Sequence, residues 1–258
     1  MTTNETSTFG KLHSHVRLDG LECRVLETLD GSFSLQYRRE DNSWTEPMHS
    51  SKGAWSESLF IYAPALQESM LMRSPQESWS VASVGLGLGY LEILTAGLAL
   101  QSGRKALETK ITSFESRSQL RFSFLQFLES SALSNTQISL DFVYDDIVRR
   151  VAQHVSAEPR ILKEHLQSMW KMGSLCFKED LAQELMASEG KQAEHSCLLF
   201  DAFSPDSSPD VWEENLLDGM MMNLCASNCI VVSYASRTVL KRVLKRNGFQ
   251  LKKTEGFA

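Results

Sequence analysis

Ser80-Val-Ala-Ser-Val-Gly-Leu-Gly-Leu-Gly-Tyr90 decides the fold. Its first half is a short apolar run of the kind that forms a buried strand, and its second half delivers glycines at alternate positions, Gly85, Gly87 and Gly89. Glycine lacks a Cβ, so such a turn can bend tightly and a ligand can lie against bare backbone. The next residues, Leu91 to Leu100, have helical spacing, which places the turn at a helix N-terminus whose free N–H groups favour an electronegative ligand. Alternate glycines also arise for steric reasons alone, so the stretch needs support from elsewhere in the chain.

Support comes downstream. Lys110 to Glu115 is a β-branched run ending in a carboxylate about 26 residues past the last glycine. A second parallel strand ending there can accept hydrogen bonds from two adjacent ribose hydroxyls. Ser174 to Phe177 reads as a third strand, followed by Lys178-Glu179-Asp180; Asp180 can cap the next helix or accept a hydrogen bond from an exocyclic amine such as that of adenine. Ser196 to Asp201 is a fourth strand, apolar until Asp201, which falls where doubly wound sheets carry their chemistry. Cys229 to Tyr234 gives a fifth strand, Arg237 to Asn247 a basic helix capped at Gly248, and Phe249 to Thr254 a final strand. Strands alternating with helices predict an α/β fold, Rossmann-like, with a mostly parallel doubly wound sheet.

Two parts of the chain lie outside that alternation. Asp30-Gly31 separates two apolar runs, predicting an N-terminal β-hairpin over 21–40, with 1–20 as a flexible tail and 21–258 as a single domain. Residues from about 119 to 172 are helical by pattern and exceed what one crossover needs, so part of them is a helical insertion; Phe122, Phe124 and Phe127 are assigned to its core. An amphipathic helix is expected from about Ser56 to Met70, after a polar loop.

Composition narrows the function. The chain has 258 residues, 42% of them hydrophobic and 22% charged, which suits one sizeable globular domain. No apolar run approaches the roughly 18 residues that span a bilayer, and the N-terminus lacks the features of a secretory signal, so a cytoplasmic location with no membrane partner is expected. The five cysteines read as free buried thiols, and neither they nor the six histidines show metal-ligand spacing, so no metal is assigned. A net charge of −6 argues against a generally basic nucleic-acid-binding surface. Locally, Arg237, Lys241, Arg242 and Lys245 form a candidate phosphate-facing patch.

The order of glycine turn, Glu115, Asp180 and Asp201 resembles class I S-adenosylmethionine-dependent methyltransferases. Two stretches are more specific. Met48-His-Ser-Ser-Lys-Gly-Ala-Trp-Ser-Glu-Ser58 is similar to the segment ahead of the cofactor turn in MnmC-like proteins, and Asp201-Ala-Phe-Ser-Pro-Asp-Ser-Ser-Pro-Asp-Val-Trp212 resembles their Asp-x-Phe-Ser/Ala-Pro…Asn-Pro-x-x-Trp signature, with Ser208 in place of Asn. The resemblance covers about Asp30 to Phe257. It implies N-methylation of the 5-aminomethyl group of a wobble (2-thio)uridine in the tRNA anticodon loop, with S-adenosyl-L-methionine as donor. It also implies no FAD, because the family's flavin-dependent oxidase half has no counterpart here and would be a separate partner; oligomeric state is not implied. Gly85, Gly87 and Gly89 would then admit the donor's methionine part, Glu115 its ribose, Asp180 its adenine and Glu57 its ammonium. Asp201 would hold the amine, Phe203 and Pro205 would wall the base pocket, with Trp212 behind them, and Arg237, Lys241, Arg242 and Lys245 would dock the RNA. Relatives of this kind continue past the Gly-Phe corresponding to Gly256 and Phe257 into a basic segment, so activity is expected to turn on whether that segment is needed. Two other readings share these features: a spermidine-synthase-like aminopropyltransferase, whose amine-holding acidic motifs are not evident here, and a non-catalytic binding module of the same fold.

Overall fold

The computed structural model describes residues 6–7, 10–74, 76–130, 139–235 and 237–253. The chain opens with an antiparallel sheet of four strands in sequential order, β1 (Thr6–Ser7), β2 (Gly10–Leu18), β3 (Leu21–Glu27) and β4 (Phe33–Tyr37). The predicted hairpin is therefore present as β3 and β4, but residues 10–18 are not a tail. They pair with β3 in the register His15↔Arg24, Val16↔Cys23, Arg17↔Glu22, and bury Val16 and Leu18. The two-residue alternation of Val16 and Leu18 with charged neighbours, and the Asp19-Gly20 turn with both φ values positive, are the physical reason.

Asp30 holds the sheet to the rest of the molecule. Its Oδ2 accepts from the Ser56 amide at 2.9 Å and its Oδ1 from the Ser32 amide at 3.0 Å, so it caps from a distance the helix α1 (Ala54–Leu71). Burial alone would raise its pKa; the hydrogen bonds from Ser32 and Ser56 outweigh that and hold it down at about 2.

The remaining elements in order are β5 (Trp79–Val84), α2 (Tyr90–Gln101), β6 (Thr109–Phe114), α3 (Ser118–Glu129), α4 (Asp141–His154), α5 (Pro159–Lys171), β7 (Leu175–Lys178), α6 (Leu181–Ser188), β8 (His195–Phe200), α7 (Glu214–Asn223), β9 (Cys225–Ser233) and α8 (Thr238–Arg246). The five strands pair in the order β7-β6-β5-β8-β9, every pair parallel. Successive residues of a strand face opposite sides, and the core divides accordingly: Val81, Cys197 and Leu199 belong to one apolar layer, Ala82, Leu198 and Phe200 to the other. The first layer also takes in β2 to β4 and α1 to α5, and the second α6 to α8. No described helix is long and apolar enough to cross a membrane.

Three expectations meet the coordinates differently. The helical middle is α3, α4 and α5, of which α4 and α5 pack beside α2 and α5 leads into β7; residues 131–138 lie outside those described. Phe124 and Phe127 are fully buried, but Phe122 is 58% exposed, because two residues along a helix turn a side chain about 200° away. The final strand is not formed over 249–253: the Phe249 amide donates to the Leu244 carbonyl and the Gly248 amide to that of Lys245, a helix-ending pair of bonds that turns the chain off the end of α8. Gly256 and Phe257 lie outside the described residues.

Candidate active site

A cleft of about 970 Å³ opens at the carboxyl ends of β5, β6 and β8. This is where strand order reverses, and where the crossover connections leave room for a ligand. Its floor is the glycine turn. Gly85 sits at φ +99°, and a Cβ there would come within 2.6 Å of the Asp201 carbonyl oxygen; Gly89 sits at φ +73°, and a Cβ there would come within 2.4 Å of the Phe124 ring. Both glycines are therefore required by the protein's own packing. Gly85 and Gly87 line the cleft, whereas Gly89 lies beneath it as the N-cap of α2.

Carboxylates surround that floor. Glu115, following β6, accepts from the Gly87 amide at 3.3 Å and from the Arg117 amide at 2.9 Å, with its carbonyl held by Arg121; burial nevertheless raises its pKa. Glu57, in the first turn of α1, accepts from the Ser50 amide at 2.7 Å and is also raised by burial. Asp201 leaves the end of β8, where its amide donates to the Val84 carbonyl, and its Oδ1 accepts from the Tyr62 hydroxyl at 2.5 Å. Burial drives the Asp201 pKa up to about 7, the nearby Glu57 charge adds to the rise, and the Tyr62 hydrogen bond opposes it. Tyr62 itself is pushed well above the usual phenol value, first by burial and then by Asp201, so it stays a donor.

Asp180 caps α6, accepting from the Gln183 amide at 3.0 Å, and also lines the cleft. Phe203 forms a wall, its ring edge-on to Tyr37 at 5.9 Å. Behind it the Trp212 indole N–H donates to the Phe203 carbonyl at 2.7 Å and the indole packs on Phe200, so Trp212 is both core and loop support. Pro205 does not line the cleft. Neither do Arg237, Lys241, Arg242 and Lys245. Helix α8 starts near the carboxyl edge and runs away from it, so Lys245 is roughly 10 Å further down than the helix start at 1.5 Å per residue. Arg242 is moreover paired with Glu214 at 2.8 Å, and Arg246 bridges Glu214 and Asp218, which ties α8 to α7.

Several lining residues escaped the sequence reading. Tyr62 and Tyr37 sit on elements with ordinary apolar patterning, and nothing local marks a tyrosine that will face a cleft. Glu46 accepts from the Ser204 amide at 2.8 Å and so anchors the loop after β8. Arg117 stacks on the Tyr37 ring, its guanidinium carbon 4.1 Å from the centroid, and among the described lining residues it is the only Lys or Arg. His49 also lines the cleft, but burial lowers its pKa to about 4 and leaves it neutral at pH 7. A cleft with this many carboxylates and one guanidinium favours a ligand that carries positive charge.

The Tyr62–Asp201 bond stabilises the charged carboxylate. Its removal in Tyr62→Phe is therefore expected to raise the Asp201 pKa, and any rate that needs the carboxylate should fall off at a higher pH. The acid limb of the kcat profile, near pH 7 in the parent, moves upward by about one unit. An unmoved limb would mean that Asp201 does not govern it.

Comparison with known proteins adds three observations. A family model described as S-adenosyl-L-methionine-dependent methyltransferase matches residues 173–258, which include Asp180 and Asp201. The tRNA 5-methylaminomethyl-2-thiouridine biosynthesis bifunctional protein MnmC of Campylobacter jejuni (strain 81116) is 23% identical over 212 residues, covering 80% of this chain and 31% of the relative. The protein of the same name from Idiomarina loihiensis is 26% identical over 207 residues, covering 78% and 32%. This chain thus spans about a third of the length of these relatives. Among solved structures, MNMC2 from Aquifex aeolicus superposes with a TM-score of 0.54 over 88% of this chain and 64% of its own, at 19% identity, a likeness of fold. The chain is thus similar over residues 173–258 to a family model described as S-adenosyl-L-methionine-dependent methyltransferase, and over about four fifths of its length to about a third of the bifunctional protein MnmC.

Proposed function

We propose that this protein transfers a methyl group from S-adenosyl-L-methionine to the amine of a 5-aminomethyl (2-thio)uridine at the wobble position of tRNA. The observation that carries the reading is the placement of Asp201: a half-buried carboxylate with its pKa raised to about 7, fixed by Tyr62, beside the glycine turn in an acidic cleft. The similarity to proteins named for tRNA 5-methylaminomethyl-2-thiouridine biosynthesis supports tRNA as the substrate, and the MnmC-like reading carries with it a flavin-dependent oxidase activity as the source of the free amine.

The residues fit the donor. Its two cationic groups suit a cleft rich in carboxylates, in which Glu57 would hold the ammonium, Glu115, beside the Gly87 amide, the ribose, and Asp180 the adenine. When bound it supplies a methyl carbon on a sulfonium, ready for in-line displacement. The rest falls to the protein and the substrate. An alkylamine is mostly protonated at neutral pH and has no lone pair in that state. Asp201 would take one N–H proton and become the neutral acid, freeing the nitrogen lone pair for the methyl group; the new N–C bond would leave the positive charge on nitrogen, with the carboxyl oxygen still placed to accept an N–H hydrogen bond from it. Tyr62 keeps that carboxylate aimed, and Phe203 and Tyr37 exclude water from one side.

The test is incubation with tRNA lacking the terminal methyl group and methyl-labelled donor, followed by nucleoside analysis. Label in the methylaminomethyl nucleoside supports the reading, and its absence with an active control enzyme on the same tRNA overturns it. Calorimetry that returned no heat with S-adenosyl-L-methionine would favour the non-catalytic module instead.

A further inference from the structure

An acidic cleft can accept a cationic donor and an amine, but it repels the phosphates on either side of the reacting nucleotide. The polyanion has to be held outside it, by a surface that reaches the mouth. Helix α8, the patch suggested by sequence, does not reach: its charges recede from the mouth, and two of its arginines are engaged with Glu214 and Asp218.

The N-terminal sheet does reach. On the face opposite Val16 and Cys23, cross-strand neighbours His15 and Arg24, and Arg17 and Glu22, lie side by side. Trp44 folds back over this face as the bridge partner of Arg38. The Arg24 guanidinium lies 4.1 Å from the indole centroid, that of Arg38 6.0 Å, and the His15 ring 6.3 Å. Arg38 also pairs with Glu22 at 2.7 Å. Arg17 and Arg38 are exposed, and the nearby Asp41 carboxylate is occupied by its own turn, accepting from the Ser43 amide and hydroxyl. From here the chain leads straight to the mouth: Tyr37 lines the cleft under Arg117, Arg39 donates to Ser207 on the opposite wall at 3.0 Å, and Glu46 and Pro47, just past Trp44, line it too.

We propose that this sheet face, wrapping round the β4 edge to Arg39 and to Arg117, which stacks on Tyr37 on the other side of the sheet, is the docking surface for the RNA strand flanking the reacting base. Guanidinium groups stacked on an aromatic face keep their N–H donors available for phosphate, and the indole edge offers a platform for an unpaired base. The assignment rests on the RNA substrate of the proposed function, but it is separable from the methyl-transfer chemistry because none of Arg17, Arg24, Arg38 and Trp44 lines the cleft.

The experiment measures binding of the full chain to a fluorescein-labelled RNA stem-loop by anisotropy at several salt concentrations, and donor binding by calorimetry. The triple variant Arg17→Gln/Arg24→Gln/Arg38→Gln should bind the RNA at least about tenfold more weakly near 100 mM salt, with the slope of log K against log salt reduced by about two, and an unchanged donor affinity. Lys241→Gln/Lys245→Gln should change RNA binding by less than about twofold. Unchanged RNA affinity in the triple variant, or the loss appearing in the α8 variant instead, overturns the docking surface, as does absence of RNA binding by the parent. If the triple variant misfolds, exposed Arg17→Glu alone must still weaken binding and flatten the slope. Donor heat in the parent keeps the methyltransferase reading standing whichever way the RNA result falls.

Discussion

Asp201→Asn lowers kcat by about a hundredfold to a thousandfold, the range of a lost general base, while the dissociation constant of S-adenosyl-L-methionine changes by less than about threefold. Asparagine keeps an oxygen where Tyr62 can donate, so the geometry around β8 is retained and only the capacity to take a proton disappears. The stability of the variant carries a second signature. Burial raises the folded-state pKa of Asp201 from 3.8 to about 7, so between those values the folded protein binds more protons than the unfolded chain. Stability is then lost as pH rises across that window, and the cost is complete above about pH 7. Asp201→Asn removes a charge that the fold accommodates poorly. The variant should melt at a higher temperature than the parent at pH 8, and the advantage should vanish near pH 4 or below. A residue that destabilises the fold at working pH yet is needed for turnover is what a site under functional constraint looks like. Loss of donor affinity in this variant, instead of turnover, would move Asp201 from the amine to the donor.

The strands of the parallel sheet are legible because β5, β6 and β8 are short apolar runs closed by Gly85, Glu115 and Asp201 at their carboxyl ends. The N-terminal sheet was half readable. Asp30-Gly31 signalled a hairpin, while the equally informative Asp19-Gly20 was passed over because the residues before it are polar on their exposed face. Glu115 and Asp201 were placed at the strand ends that line the cleft, since position along a strand fixes where it delivers a side chain. Tyr62, Tyr37 and Arg117 were not anticipated, because their roles depend on how α1 and the N-terminal sheet fold over the cleft, and tertiary packing of that kind leaves no periodic trace. Gly89 shows the converse: a motif can be matched at a position where the lack of a side chain makes room for the Phe124 ring. The pairing of two α8 charges with Glu214 and Asp218 is equally hidden, because those carboxylates come from a different helix.

Gly85→Ala should cost roughly 2 to 5 kcal/mol of stability and, at about 2 to 4 °C per kcal/mol for a chain of this size, lower the melting temperature by about 5 to 15 °C. Two effects add. A left-handed φ of +99° is unfavourable for any residue with a Cβ, and that Cβ would stand 2.6 Å from the Asp201 carbonyl oxygen, a backbone atom that cannot swing aside. Relief requires β5 and the start of the loop after β8 to part, which moves the Asp201 carboxylate from Tyr62, so kcat should fall by at least about tenfold along with stability. Gly103 separates the two contributions. It has a similar φ of +76°, but nothing lies within 4 Å of its would-be Cβ, so Gly103→Ala carries the conformational cost alone. That variant should lose only about 1 to 2 kcal/mol and retain the parent kcat. If Gly85→Ala were as mild as Gly103→Ala, the contact with the Asp201 backbone would not be the reason for glycine there, and the glycine turn would have to be kept open for the ligand alone.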